Sequence, residues 1–196
     1  MSSVAGARSQ VASTDIALTY DDGPHPDVTP AILDVLKAGG VTATFFVLGK
    51  RAEEHPDIIR RMIVEGHTVG SHSMTHPDFR VAKFSSVRAD VTSSRAVIAS
   101  IIGTPVCLFR PPHGHLTIRT AVMLRRAGAR TWLWTVDSYD WKTGVTPEQV
   151  VSAVGGASGG DVVLLHDTNV HTIEATRALI LHFRSRDMAI NAIPQT

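Results

Sequence analysis

Short apolar runs that stop abruptly at polar clusters are the feature of this sequence that most restricts its fold. Apolar, β-branched or aromatic segments recur at residues 16–20, 42–48, 68–73, 107–110, 131–136, 161–165 and 188–193, each too short for a typical helix. They read as seven strands. Between them lie stretches with apolar spacing near three and four, such as Ile32, Leu33, Val35 and Leu36, or Ile58, Ile59, Met62 and Ile63, which read as helices. Thr29 before Pro30 and Thr146 before Pro147 are expected helix starts, with Gly39-Gly40, Gly66 and Gly128 as stops. Residues 81–102 read as an amphipathic surface helix.

Strands alternating with helices imply parallel pairing through right-handed crossovers, hence an α/β architecture. A complete eight-unit barrel usually takes about 250 residues. The 196 residues here fit a distorted, incomplete (β/α) barrel of about seven parallel strands better, with an open doubly wound sheet as the alternative. No Gly-x-Gly-x-x-Gly follows the first strand, so no dinucleotide fingerprint is present. Residues 1–14 read as an N-terminal tail and residues 15–196 as one domain.

Composition narrows the chemistry. Nineteen Lys and Arg against 18 Asp and Glu give a formal charge of +1, with no basic stretch suited to a phosphate backbone, so no nucleic-acid partner is expected. The single cysteine, Cys107, excludes an internal disulfide and a multi-thiolate zinc site, and its apolar setting reads as inert core. A metal here needs imidazole and carboxylate ligands. No apolar run is long enough to span a membrane, and residues 1–14 lack the apolar stretch of a signal peptide.

In a parallel barrel the carboxyl ends of the strands share one face, where catalytic groups collect. Five runs end there in polar clusters: Asp21-Asp22-Gly23-Pro24; His72 to His76; Arg110-Pro111-Pro112-His113-Gly114; Asp137 to Trp141; and His166-Asp167. Adjacent carboxylates at a strand end raise each other's pKa and call for a cation beside them. Alone, Asp21-Asp22 reads as a solvated turn, and His72 with His76 as coincidence. Together, one carboxylate and two imidazoles make a metal set with open positions. If Asp22 is the ligand, Asp21 stays free as a base beside bound water. Pro77 biases His76 towards extended backbone. Arg110, stiffened by Pro111-Pro112, suits pinning a carboxylate, most simply Asp21. His166 ends an apolar strand and suits a proton donor, with Asp140 or Asp167 able to keep it charged. His25, His55, His67, His171 and His182 fall outside these clusters and read as solvated or locally capping.

The segments TYDDGP, SHSMTH, RPPHG, DSYDW and LLHD resemble, in order and approximate spacing, the motifs of the polysaccharide deacetylases, the family 4 carbohydrate esterases. The resemblance runs from about Ile16 to about Ile193. It implies an incomplete (β/α) barrel with Asp21 as general base, His166 as general acid, Arg110 orienting the base and Asp140 tuning the acid. It implies one divalent ion on Asp22, His72 and His76, usually zinc, with cobalt or nickel as substitutes. On the substrate side it implies Trp141 and Leu164 around the acetyl methyl, the backbone N–H of His113 at the oxyanion, and Tyr20. Tyr20 stands where Phe is common, and His113 replaces the usual Tyr, which alters the groove wall. The implied substrate is an N-acetylglucosamine-containing polysaccharide or oligosaccharide: chitin, chitooligosaccharide or peptidoglycan. An acetylxylan O-deacetylase using the same site is the nearest rival. A non-catalytic carbohydrate-binding domain and a hydrolase of small cyclic amides are the others. A monomer with a shallow, open groove is expected, secreted or at the cell surface by resemblance, or cytoplasmic given the absence of an export signal.

Overall fold

The computed structural model describes residues 7–11 and 14–195. Its strands are β1 (Asp15–Asp21), β2 (Thr44–Val47), β3 (Thr68–Ser71), β4 (Leu108–Phe109), β5 (Arg130–Thr131), β6 (Val136–Asp137), β7 (Val162–His166) and β8 (Ala189–Ile190). Helices intervene: α1 (Val28–Ala38), α2 (Gly49–Glu54), α3 (Pro56–Val64), α4 (Phe84–Ile102), α5 (Ile118–Arg126), α6 (Pro147–Val154) and α7 (His171–Arg184).

All strand pairs are parallel, in the order β5-β4-β3-β2-β1-β7-β6, with β8 beside the start of β1. This order decides between barrel and open sheet. Seven strands laid flat would put the edges about 29 Å apart at the usual strand spacing. The edge strands β5 and β6 are joined by residues 132–135 alone, and such a link reaches at most about 17 Å. The sheet must therefore curl, giving the incomplete barrel and excluding the doubly wound alternative. The same constraint splits the strand expected at 131–136. Thr131 pairs with β4 and Val136 with β7, so one short segment serves both edges. Arg8 and Gln10, within the segment read as a tail, form bridges to Trp132 and Asp161 across this gap.

Strand alternation sorts β1 into two faces. Ile16, Leu18 and Tyr20 face the helix layer among Leu33, Leu36, Phe45 and Leu179. Ala17 packs with Phe46, Leu108, Trp132, Val162 and Ile193 to fill the barrel. Thr19 and Asp21 continue that inner face towards the carboxyl end. Each fully buried Leu, Ile or Phe contributes about 1.5–3 kcal/mol.

Helix α6 starts as expected, with Thr146 and Gln149 exchanging capping hydrogen bonds. Helix α1 instead starts at Val28, one residue before Thr29, whose hydroxyl is used elsewhere. Among the histidines read as solvated or capping, His25 caps α1 through Nδ1. His67 is buried and accepts the Ala43 N–H. Cys107 is half-buried and lies just before β4, so it is not a core residue.

Gly70 shows how tightly the barrel is filled. A Cβ there would lie 2.7 Å from the Phe46 ring, and that ring supports the Arg110 guanidinium 4.2 Å away. Gly70→Ala is expected to destabilise the fold by about 1–3 kcal/mol, read in urea unfolding. An unchanged midpoint would contradict this packing.

Candidate active site

The carboxyl ends of β1, β3, β4, β6 and β7 bring the five polar clusters together. Consecutive residues of a strand point to opposite faces, yet Asp21 Oδ2 and Asp22 Oδ1 both approach His72 Nε2, at 3.7 and 3.6 Å. The reason is the backbone: Asp22 is left-handed, at φ 74°. Ser73, His76, His113 and Tyr139 are left-handed as well. Among the described residues, five of the six left-handed non-glycine positions thus lie at or beside the site, as expected where geometry is held by its surroundings. His76 was expected to be extended and is not. Pro77 disfavours only the right-handed helix before it, and the His76 N–H is held by Ser73 Oγ at 3.0 Å.

Asp22, His72 and His76 each offer a ligand atom, and these atoms all lie within 4.8 Å of one another. Asp22 Oδ1 is 3.6 Å from His72 Nε2 and 3.5 Å from His76 Nε2. The donor set fits a divalent ion. Asp22 Oδ1 is buried without a hydrogen-bond partner among the described residues, a costly state unless something cationic caps it. His72 Nδ1 bonds the carbonyl oxygen of Arg110 at 2.8 Å, which places its proton there and leaves the Nε2 lone pair for the cleft. Burial holds the His72 pKa down, to about 3, so the ring is neutral.

Asp21 is held differently. Arg110, with no exposed surface, donates through Nη1 to Asp21 Oδ1 at 2.8 Å and to Thr19 Oγ1 at 2.7 Å. Its other nitrogens reach the Trp132 and Leu133 carbonyls. Burial pushes the Asp21 carboxyl above the usual range, against the pull of Arg110. Asp21 is therefore a better proton acceptor than a solvated carboxylate.

His166 is in register with Asp21 on the neighbouring strand. Its Nδ1 meets Asp140 Oδ1 at 2.7 Å, and Asp140 Oδ2 accepts the His166 N–H and the Thr172 hydroxyl. Burial opposes the charged ring, but the hydrogen bond and charge of Asp140 outweigh it and raise the pKa to about 9. Asp140, not Asp167, partners this histidine. Asp167 instead accepts from Thr29 Oγ1 at 2.6 Å, and burial pushes its pKa up to about 7. It packs so closely on Gly23 that a Cβ there would lie 1.9 Å from Asp167 Oδ2.

The cleft between His166 and Asp22 has a volume of about 560 Å³ and is lined also by His25, Trp141, Asn169 and Val170. Trp141 is 55% exposed. Leu164, nearly buried, lies on the inner face one layer below His166. The His113 ring is 4.5 Å from that of His76, so its turn (Pro112–Gly114) adjoins the triad. Tyr20 is placed wrongly by the sequence reading. Its side chain has no exposed surface, stacks on Phe45 in the outer layer and bonds Thr176 through its hydroxyl, so it cannot touch substrate. Sequence reasoning also missed Asp90, Thr19 and Thr172. Asp90, on α4, accepts the Met74 and Thr75 N–H groups and fixes the loop that carries His76. Nothing marks it out along an ordinary amphipathic helix.

The fold and this site define a class: a barrel hydrolase with three residues placed so that they could hold a metal ion, a second acid beside them and a carboxylate-paired histidine at one rim. The model of the polysaccharide deacetylase family matches residues 8–132, and the chain belongs to that family. It is 35% identical to a chitooligosaccharide deacetylase of Bradyrhizobium sp. (strain ANU 289), over 98% of this chain and 92% of that one. It superimposes on a peptidoglycan N-acetylglucosamine deacetylase crystal structure with TM-score 0.91 at 29% identity, covering 96% of this chain and 90% of the other. For a family 4 carbohydrate esterase from Streptomyces lividans in complex with acetate, the TM-score is 0.88 at 28% identity, covering 94% and 95%.

Removing Arg110 should leave Asp21 as a buried, uncompensated charge. Arg110→Met is expected to destabilise by about 3–5 kcal/mol, and adding Asp21→Asn should recover part of the loss. Additive losses in chemical denaturation would contradict the coupling.

Proposed function

We propose that this chain is a metal-dependent hydrolase that removes N-acetyl groups from N-acetylglucosamine-containing polysaccharides or oligosaccharides. The observation that carries the reading is the division of labour between adjacent acids. Asp22 turns its unpartnered oxygen to two imidazoles, while Asp21 is held by Arg110. The names of the similar proteins, chitooligosaccharide and peptidoglycan deacetylases, support the substrate class. Our reading has the enzyme working at the cell surface or outside the cell, where a polymeric substrate of this kind is found, and as a monomer.

Asp22, His72 and His76 would hold the ion, zinc by preference, with cobalt or nickel as replacements. Bound there, a divalent ion supplies a water acidified towards neutrality and polarises the acetyl carbonyl. Asp21, made basic by burial and aimed by Arg110, takes the proton of the attacking water. The His113 N–H, beside the triad, donates to the developing oxyanion; such donors are worth about 3–4 kcal/mol elsewhere. His166, kept charged by Asp140, gives its proton to the departing nitrogen, because an amine does not leave as its anion. Trp141 and Leu164 would enclose the acetyl methyl.

Acetate release from chitooligosaccharide and from acetylated xylan, measured side by side on metal-replete and chelated protein, tests the reading. Metal-dependent release favouring the N-acetyl substrate is expected. Release only from xylan would replace it with the O-deacetylase, and sugar binding without any turnover would replace it with a binding domain.

Two outcomes follow from His166. His166→Ala is expected to lower kcat on the N-acetyl substrate by about 10²–10⁴-fold, and far less on an activated aryl acetate whose leaving group needs no proton. Equal losses would contradict the acid role. The raised His166 pKa fixes the sign of the pH dependence. Its stabilisation is complete below the unfolded value near 6.5 and disappears as pH rises through about 9, and the active protonated form disappears with it. Asp140→Asn is expected to move the alkaline limb of the kcat profile down towards that unfolded value. An unmoved limb would show that another group sets it.

A further inference from the structure

Next to the loop that carries Trp141 lies a second concavity of about 390 Å³, lined by Tyr139 and Lys142. Ser138, Thr143, Gly144 and Gln149 line it as well, among others. Three observations suggest that it is built for a ligand. First, Tyr139 is left-handed, at φ 57°, an unusual state for an aromatic residue. It is held so by Asp137 Oδ1, which accepts the Tyr139 N–H at 2.8 Å and the Trp141 indole N–H at 3.3 Å. One carboxylate thus fixes two aromatic residues, and both rings stay open to solvent, Tyr139 being 44% exposed. Second, the rings meet edge to face with centroids 6.3 Å apart. They form a continuous aromatic ridge between this groove and the cleft of His166 and Asp22. Third, the Lys142 ammonium stands 4.1 Å from the Tyr139 centroid and 5.7 Å from that of Trp141. No carboxylate is among the residues lining the groove.

Hydroxyls, an amide, exposed aromatic faces and one cation make a carbohydrate-binding set with a charge reader. We infer that the Tyr139–Lys142 groove is a subsite for the sugar next to the one being deacetylated, and that Lys142 selects a neighbour bearing a carboxylate. The inference rests on the deacetylase reading for the occupant of the adjoining cleft. It distinguishes a mixed, acidic glycan from a uniform neutral one, a choice that the residues around the triad leave open. A carboxylate sugar can come from two sources, a lactyl ether, as in peptidoglycan strands, or a uronate.

The test is calorimetric binding by the full-length, zinc-loaded protein, with acetate release measured in parallel. The probes are peptidoglycan glycan strands, the same strands with their carboxyls reduced to alcohols, oligosaccharides alternating N-acetylglucosamine with glucuronate, and chitooligosaccharide. The carboxylate strands are expected to bind more tightly than their reduced form, by about five-fold, the upper range for a solvent-exposed ion pair. Lys142→Gln should erase that ratio, Lys142→Arg should keep it, and Thr143→Glu, which adds a negative charge to the same wall, should invert it. The advantage should shrink with added salt. A preference for lactyl over uronate strands, or the reverse, identifies the source. A ratio near one in the wild-type protein, or one that Lys142→Gln leaves intact, overturns the subsite. Lys142-dependent binding without acetate release would leave the subsite standing and remove the deacetylase reading. Acetate release with no Lys142 dependence would do the opposite.

Discussion

A single buried cation organises the rim of this barrel. Arg110 has no exposed surface, and a guanidinium in that position is tolerable only if its donors and its charge are met. Asp21, Thr19 and two main-chain carbonyls meet them, with the Phe46 ring beneath. The backbone of the same residue reaches the other half of the site. Its N–H donates to the Ser71 carbonyl, and its own carbonyl accepts from His72 Nδ1. Asp21 and His72 are thereby fixed by one residue directly after β4, and a shift of that strand would move both. The parallel sheet supplies the rigidity, since Ser71 and Phe109 pair directly between β3 and β4.

Backbone conformation does the rest. An extended strand would send Asp21 and Asp22 to opposite sides, and the left-handed turn at Asp22 cancels that alternation. Each such residue costs of order 1–3 kcal/mol unless its surroundings hold it. The holders are visible: Ser73 and Asp90 for the His76 loop, Asp137 for Tyr139, and Asp167 with Thr29 beneath Gly23. Side chains outside the triad therefore decide whether the cluster exists.

Much of this was legible in the sequence, for identifiable reasons. Apolar runs of strand length and their polar ends gave the α/β class, and the positions of Asp22, His72 and His76 gave a ligand set that the geometry brings within bonding reach of one ion. Arg110 beside Asp21 followed from the cost of adjacent carboxylates. Hydrogen bonds formed across the fold were not legible. The Thr131–Val136 run looks like one strand because local propensity cannot show that its two ends serve opposite edges of a curled sheet. Tyr20 was assigned to the substrate side by its place in a motif, although strand alternation turns it to the outer layer with Leu18. Asp90 carries no local mark at all. The residues alone left Asp140 and Asp167 open as partners of His166; the resemblance pointed to Asp140, and the β6–β7 pairing is what carries it there.

The central claim is that neighbouring acids have separate tasks, Asp22 holding the ion and Asp21 moving a proton. Calorimetric titration of zinc into apo Asp22→Asn and Asp21→Asn proteins tests it most directly. The account predicts that Asp21→Asn keeps one site of near wild-type affinity, whereas Asp22→Asn loses at least ten-fold, the scale on which even supporting groups of a metal site act. Loss of zinc from Asp21→Asn with retention by Asp22→Asn would contradict it.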